Sequence, residues 1–271
     1  MKVITMVYSD EFQTFLRTVL PGMGYRWRRF DRRNFRRRVR SRMESLRIYE
    51  LDKYAQLVTR NQAERTVLDS LLRLTITRFF RNPWLWGELG TLIPKTTDSL
   101  EKNKALRVWS AGCAGGEEPF SIAMLLDDLS RSGHLDHPYS ILGTDTDTSS
   151  LKRARNTTYK WGSVREVPRH LLDRWFQEKD GLWILDEEVR NLVEVRQHDL
   201  VTMDPPGRFN VILLRNSILT YNTDEIQRKV LGRIHECLLV AGYLVIGRTE
   251  KMPEGARFEE VGKCIYRKGE G

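Results

Sequence analysis

Residues 107–119 read RVWSAGCAGGEEP, and this stretch decides the fold. A short apolar strand at 106–110, with Leu106, Val108 and Trp109, runs into a loop holding Gly112, Gly115 and Gly116. Glu117, Glu118 and Pro119 then open an apolar helix, SIAMLLDDL. Loop glycines let a ligand approach the backbone, and a helix N-terminus presents unpaired N–H groups. Strand, glycine loop and helix together describe a nucleotide-type cradle. Two acids at its mouth repel a diphosphate, so the fitting ligand is cationic or hydroxyl-bearing. S-adenosylmethionine (SAM), with its ammonium, sulfonium and ribose diol, is such a molecule.

Beyond residue 106 strands and helices alternate. Strands are expected at 106–110, 139–145, 192–197, 209–215, 241–247 and 258–267, with helices at 118–130, 149–156 and 223–238. Near-continuous apolar strands with intervening helices predict an α/β fold around a buried parallel sheet. A last pair near Val245 and Cys264 suits a reversed hairpin at the sheet edge. Ligands of such sheets sit at the carboxyl ends of strands. Those ends carry the glycine loop, Asp145, Asp199 and Asn216. Asp145 can accept hydrogen bonds from a ribose diol. It also reads as a helix N-cap, although Asp147 or Thr148 fits the cap better. Asp199 and its adjacent backbone can touch an adenine edge. Residues 159–191 interrupt the alternation with Trp161, Trp175, Trp183 and KDGLWILDEEVR, a turn between short antiparallel strands.

Residues 9–89 place apolar residues three or four apart, predicting helices at 11–19, 28–46, 50–59, 62–72 and 81–89. Residues 1–90 thus form an all-helical N-terminal domain, 91–105 a polar linker, and 106–271 the α/β domain with a β-subdomain at about 159–191. In RLTITRFFRNPW, Thr77 and Arg81 share a helix face while Phe79 and Phe80 pack inward.

Charge is concentrated in one place. The net charge is +9, and residues 26–42 alone hold ten Arg and one Asp, so the remainder is close to neutral. Arginines interleaved with Trp27, Phe30, Phe35 and Val39 read as an amphipathic basic helix for an acidic partner, nucleic acid or an acidic protein helix. Guanidiniums without lysines suit carboxylate or phosphate forks. The three cysteines are scattered, which argues against a disulfide framework and a metal site. Cys113 lies in the glycine loop without an activating partner. With no run of about 18 apolar residues and no signal-peptide pattern, no membrane insertion and a cytoplasmic location are expected.

LTITRFFRNP, RVWSAGCAGGEEPFSIAM, GTDTDTSSLKRA and FNVILLRNSILTY stand in the order and spacing of chemotaxis receptor methyltransferases of the CheR type, which this chain resembles over nearly its whole length. FRRRVRSRM is similar to that family's basic helix. The resemblance implies a Rossmann-like class I SAM methyltransferase sheet, a small all-helical N-terminal domain and an inserted antiparallel β-subdomain. It implies SAM contacts from Thr75, Thr77, Arg81, Gly112, Glu117, Glu118 (more than Glu117), Asp145, Asp199, Leu200, Asn216 and Ser217. The implied reaction moves the SAM methyl group to glutamate side chains of chemoreceptor cytoplasmic helices in chemotaxis adaptation, leaving S-adenosylhomocysteine. Arg29, Arg33, Arg36, Arg37 and Arg40 would dock the acidic helix, and Tyr221 would orient the acceptor. A carboxylate is already ionised at neutral pH, so no general base is required. This sequence has Thr75 where relatives usually have Asn, Asp199 where they have Asn, and Thr220 where they have Tyr.

Three other functions compete. A diverged enzyme could act on another protein or a small-molecule carboxylate, and a silent member could be a SAM-binding scaffold. A nucleic-acid methyltransferase would use a D-P-P motif after the fourth strand, whereas Asp204-Pro205-Pro206-Gly207 precedes that strand and reads as a turn.

Overall fold

The computed structural model describes residues 2–72, 77–98, 100–101 and 104–269, with side chains from residue 10 onward. The chain divides into two compact units, Met1–Leu74 with Thr220–Gln227, and Thr75–Leu219 with Arg228–Gly271.

The first unit carries helices α1 (Lys2–Val19), α2 (Arg33–Ser45), α3 (Leu51–Arg60) and α4 (Gln62–Leu72). Phe15, Leu16, Phe35, Val39, Tyr54 and Leu68 belong to its apolar core. The basic helix is shorter than the expected 28–46. Trp27–Arg29 forms one 3-10 turn, Arg32 is extended, and α2 starts only at Arg33. Apolar spacing explains this. Phe30 to Phe35 is a step of five, which a helix cannot keep on one face, whereas Phe35, Val39 and Met43 step by four and are all buried. Arg42 turns toward Glu64 and is half-buried. Its Nε and Nη2 donate to the Glu64 carboxylate at 3.0 and 2.6 Å, and the Tyr54 hydroxyl donates to the same group at 2.8 Å. The Arg42 hydrogen bonds hold the Glu64 carboxyl below the ordinary carboxylate range.

The second unit opens with α5 (Pro83–Thr97), β1 (Leu106–Ala111), α6 (Glu117–Arg131), β2 (Tyr139–Asp145) and α7 (Thr148–Asn156). An insertion follows, with β3 (Thr158–Lys160), α8 (Trp161–Val164), α9 (Arg169–Trp175), β4 (Phe176–Lys179), β5 (Leu182–Leu185) and α10 (Glu187–Asn191). The chain continues with β6 (Val193–Gln197), β7 (Phe209–Leu214), α11 (Ile218–Tyr221), α12 (Asp224–Cys237), β8 (Leu238–Ile246), β9 (Phe258–Gly262) and β10 (Ile265–Lys268).

The expected linker at 91–105 is a correction. Its first part is helix, because Leu89, Ile93, Thr96 and Thr97 bury one face of α5, and Pro94 is carried inside it.

The main sheet runs β6-β2-β1-β7-β8-β10-β9. The β6, β2, β1, β7 and β8 neighbours pair in parallel, and β10 runs antiparallel to β8 and β9. Every residue of β7 is buried, which is why FNVILL shows no alternation. The chain passes from β1 outward through β2 and β6 and returns to β7 on the other side of β1. That reversal makes the carboxyl ends of β1 and β7 the natural ligand position. The insertion forms a separate antiparallel sheet, β3-β5-β4, whose β4–β5 hairpin turns on Asp180 and Gly181, both at positive φ. Among the described residues no helix is long and apolar enough to cross a membrane.

Candidate functional site

β1 delivers the chain into the glycine loop with Gly112 at φ +94°, Ala114 at +47° and Gly116 at +89°. Neighbouring β2 fastens this loop. The N–H groups of Gly112 and Cys113 both donate to the Thr144 carbonyl at 2.8 Å. Asp145 completes the clamp, its Oδ2 accepting from Ala114 N–H and its Oδ1 from Asp147 N–H, each at 2.9 Å. Each carboxylate oxygen keeps further acceptor capacity, which is what two vicinal hydroxyls require. The N-cap of α7 is Asp147, which accepts from the backbone N–H of Ser149 and Ser150, so Asp145 is spared that task. The end of β6 joins through His198, whose N–H donates to the Asp145 carbonyl at 3.1 Å. Asp199 is half-buried and its Oδ1 accepts from Val201 N–H at 2.8 Å, shaping the turn that buries Leu200.

The two acids of GEEP occupy different environments. Glu118 accepts from Ser110 Oγ at 2.8 Å and from Arg215 Nη1 at 2.9 Å. Burial pushes its carboxyl above the ordinary range, and Arg215 pulls it back. Glu117 has no such cation in contact. Burial pushes its carboxyl up to about 7, against weaker pulls from the α6 N-terminal backbone, Arg153, Ser163 and Thr77. Its Oε2 is buried without a hydrogen-bond partner, and a Cβ on Gly115 would stand 2.7 Å from that atom. Glycine at 115 leaves room for the carboxyl where it lies. The two acids thus differ in their partners: Glu118 is engaged by protein, while Glu117 Oε2 holds unused acceptor capacity.

Past β7, Asn216 adopts φ +53°, and its N–H donates to Glu250 Oε2 at 3.0 Å. Gly247 N–H donates to the same oxygen at 2.5 Å. Ser217 follows, its Cβ lying 3.4 Å from where a Gly112 Cβ would be, and its Oγ is buried without a partner. Two unpartnered buried oxygens and an open glycine cradle fit a ligand bearing hydroxyl and ammonium donors. Cys113 takes no part in chemistry. Burial pushes its thiol well above the ordinary value, so it is no nucleophile.

Thr77 and Arg81 do meet the acids, but not from one helix face. Residues 77–82 are non-helical, with Phe80 at φ +50° and Asn82 at +66°, because Pro83 disfavours helix before it and both Phe79 and Phe80 must be buried. Thr77 favours the charged form of Glu117, and the Arg81 charge does the same for Glu118. Thr75 lies outside the described residues. Tyr221 belongs to the first unit, where its ring packs 5.4 Å from Phe30 and under the Arg32 guanidinium. In that unit Arg29, Arg33, Arg37 and Arg40 are exposed. Arg36 differs from them in being half-buried, pairing with Asp31 at 2.5 Å and lying over the Phe12 ring. Sequence reasoning passed over Arg215, Thr144 and Glu250. Only Arg215 left a signal, as a charge closing a nearly apolar strand.

Comparison with known proteins supplies a family. The family model described as CheR methyltransferase, SAM binding domain, matches residues 75–266. A "Chemotaxis protein methyltransferase" of Listeria monocytogenes is 27% identical over 245 residues, covering 90% of this chain and 91% of that protein. A "Probable chemotaxis protein methyltransferase" of Rhizobium etli is 28% identical, covering 97% of this chain and 96% of its own. An "Uncharacterized 104.1 kDa protein in hypE 3'region" of Rhodobacter capsulatus is 30% identical over 221 residues, but this chain spans only 23% of it.

The Glu117 environment has a consequence for stability. A carboxyl at about 7 in the folded chain and near 4.5 when unfolded favours folding in its protonated form. Stability is therefore lost as pH rises from about 4.5 through 7, on the order of 3 kcal/mol in total. Thermal unfolding of the ligand-free Glu117→Gln variant should show a higher midpoint than the native chain at pH 8 and a matching one at pH 5. An equal difference at both pH values would contradict the burial of a titrating carboxyl.

Proposed function

The chain belongs to the CheR methyltransferase family, and from that premise we propose that it transfers a methyl group from SAM to glutamate side chains of chemoreceptor cytoplasmic helices. The cofactor side rests on the strand ends just described. Asp145 would accept from the ribose diol, Asp199 and Leu200 would border the adenine, and Glu117, Asn216 and Ser217 would hold the amino-acid end with Thr77 and Arg81. Bound SAM would supply a methyl group made electrophilic by its sulfonium. The protein's task is then alignment and water exclusion, since a glutamate acceptor with an ordinary pKa near 4.3 is ionised without a base.

The observation that carries the acceptor assignment is the exposed arginine row. Arg33, Arg37 and Arg40 share one face of α2, and Arg29 stands just ahead of it. Forked guanidiniums on a rigid helix suit the carboxylates of an acidic helix. Relatives named chemotaxis protein methyltransferases in Listeria and Rhizobium make a chemoreceptor the favoured source of that helix. The Asp204-Pro205-Pro206-Gly207 turn lies ahead of β7, where an amino-group methyltransferase motif would have no role.

Incubation with tritiated SAM and a chemoreceptor cytoplasmic fragment should give protein label released as methanol by mild base. Base-stable label, or label in added RNA instead, would overturn the ester assignment. Substituting Arg33, Arg37 and Arg40 together by Glu should leave the Kd for SAM unchanged and raise the KM for the protein acceptor about tenfold or more, through repulsion in place of attraction. Parallel loss of both would mean that the helix only supports the fold.

A further inference from the structure

Arg215 closes β7 with a side chain only 3% exposed. A buried guanidinium must be neutralised and hydrogen-bonded. Here Nη1 donates to Glu118 Oε2 at 2.9 Å, while Nη2 donates to the Arg81 carbonyl and to Asn82 Oδ1, both at 3.0 Å. The Trp86 ring lies 5.9 Å from the guanidinium carbon, and the Trp86 indole N–H donates to the Arg81 carbonyl at 3.1 Å. So placed, both terminal nitrogens of Arg215 are engaged by protein, and Nε alone among its nitrogens is buried without a partner. One side chain instead ties together the 81–82 turn, the first turn of α6 and the end of β7.

The 81–82 turn needs such a tie. Phe80 and Asn82, the residues flanking Arg81, both have left-handed backbone, which is retained only where surrounding contacts impose it. Phe80 N–H is held by Ser121 Oγ at 2.9 Å, and Arg215 holds the other flank. Arg81 is itself half-buried, with its charge felt at Glu118. The methionine carboxylate is the one anionic group of SAM, and a guanidinium is its natural fork partner. We propose that Arg215 is a positioning residue whose fork fixes the Arg81–Asn82 turn so that Arg81 can pair with the carboxylate of bound SAM. This rests on the assignment of Arg81 to the cofactor.

Arg215→Lys keeps a cation for Glu118 but has a single nitrogen, which cannot also span the Arg81 carbonyl and Asn82. Calorimetry should show its Kd for SAM raised about tenfold, while decarboxylated SAM, which lacks the carboxylate, binds the variant as it binds the native chain. Asn82→Gly tolerates the left-handed backbone and removes one acceptor, so it should repeat the pattern at smaller size even if the lysine variant folds poorly. Equal weakening of both ligands in these variants would reduce Arg215 to a structural role, and no weakening of either would end the proposal. Arg81→Met locates the failure. If that variant binds SAM normally, the assignment of Arg81 is wrong and the inference falls with it. If it weakens SAM selectively while Arg215→Lys and Asn82→Gly do not, the cofactor assignment stands and the inference alone is lost.

Discussion

Two adjacent carboxylates at the first turn of a largely buried helix have to be accommodated, and much of the second unit follows from how this is done. A helix N-terminus favours negative charge, but burial disfavours it more strongly. Glu118 is neutralised by Arg215, which the sheet order brings to it by setting β7 beside β1. Glu117 has only dipoles and distant charge, and meets burial by holding its proton to about pH 7. Gly115 leaves room for its carboxyl, and Thr77 and Ser163 reach it from flanking segments. Fold and site are thus a single electrostatic solution.

Asp145 does two things at once. It is a structural clamp, because both oxygens accept backbone N–H groups that set the glycine loop. It also keeps acceptor capacity at the end of β2, where the loop it fixes opens. A ligand bound there meets a surface already organised by the group that binds it, which lowers the ordering cost of binding. In the first unit the Arg42–Glu64–Tyr54 cluster plays a quieter part. It consumes one arginine of the basic segment and leaves others on the exposed face.

What was legible in the sequence is what local pattern dictates. FNVILL could only be a strand buried on both faces, KDGLW could only turn, and Asp147 caps α7 as its spacing demands. The strand ends that carry the candidate residues were legible too, since strands can be counted along the chain. What stayed hidden depends on partners remote in sequence. Arg36 reads as a docking residue until Asp31 and Phe12 close on it. Thr77 and Arg81 read as one helix face until the non-helical backbone between them, with left-handed Phe80, parts them. Arg215 is inconspicuous beside Asn216, because only the folded chain shows the 81–82 turn against it. The helical continuation to Thr97 was masked by Gly90 and Pro94, which usually signal a turn, while the buried face of α5 overrides them.

The central claim is that the strand-end constellation around Asp145 is the SAM site. Calorimetric titration of SAM into the native chain and into Asp145→Ala, with circular dichroism to show that both are folded, tests it most directly. The account predicts one-to-one binding by the native chain and an affinity lower by about tenfold or more in the variant, because acceptors for the ribose and the loop clamp are lost together. Equal affinities in two folded proteins would contradict it.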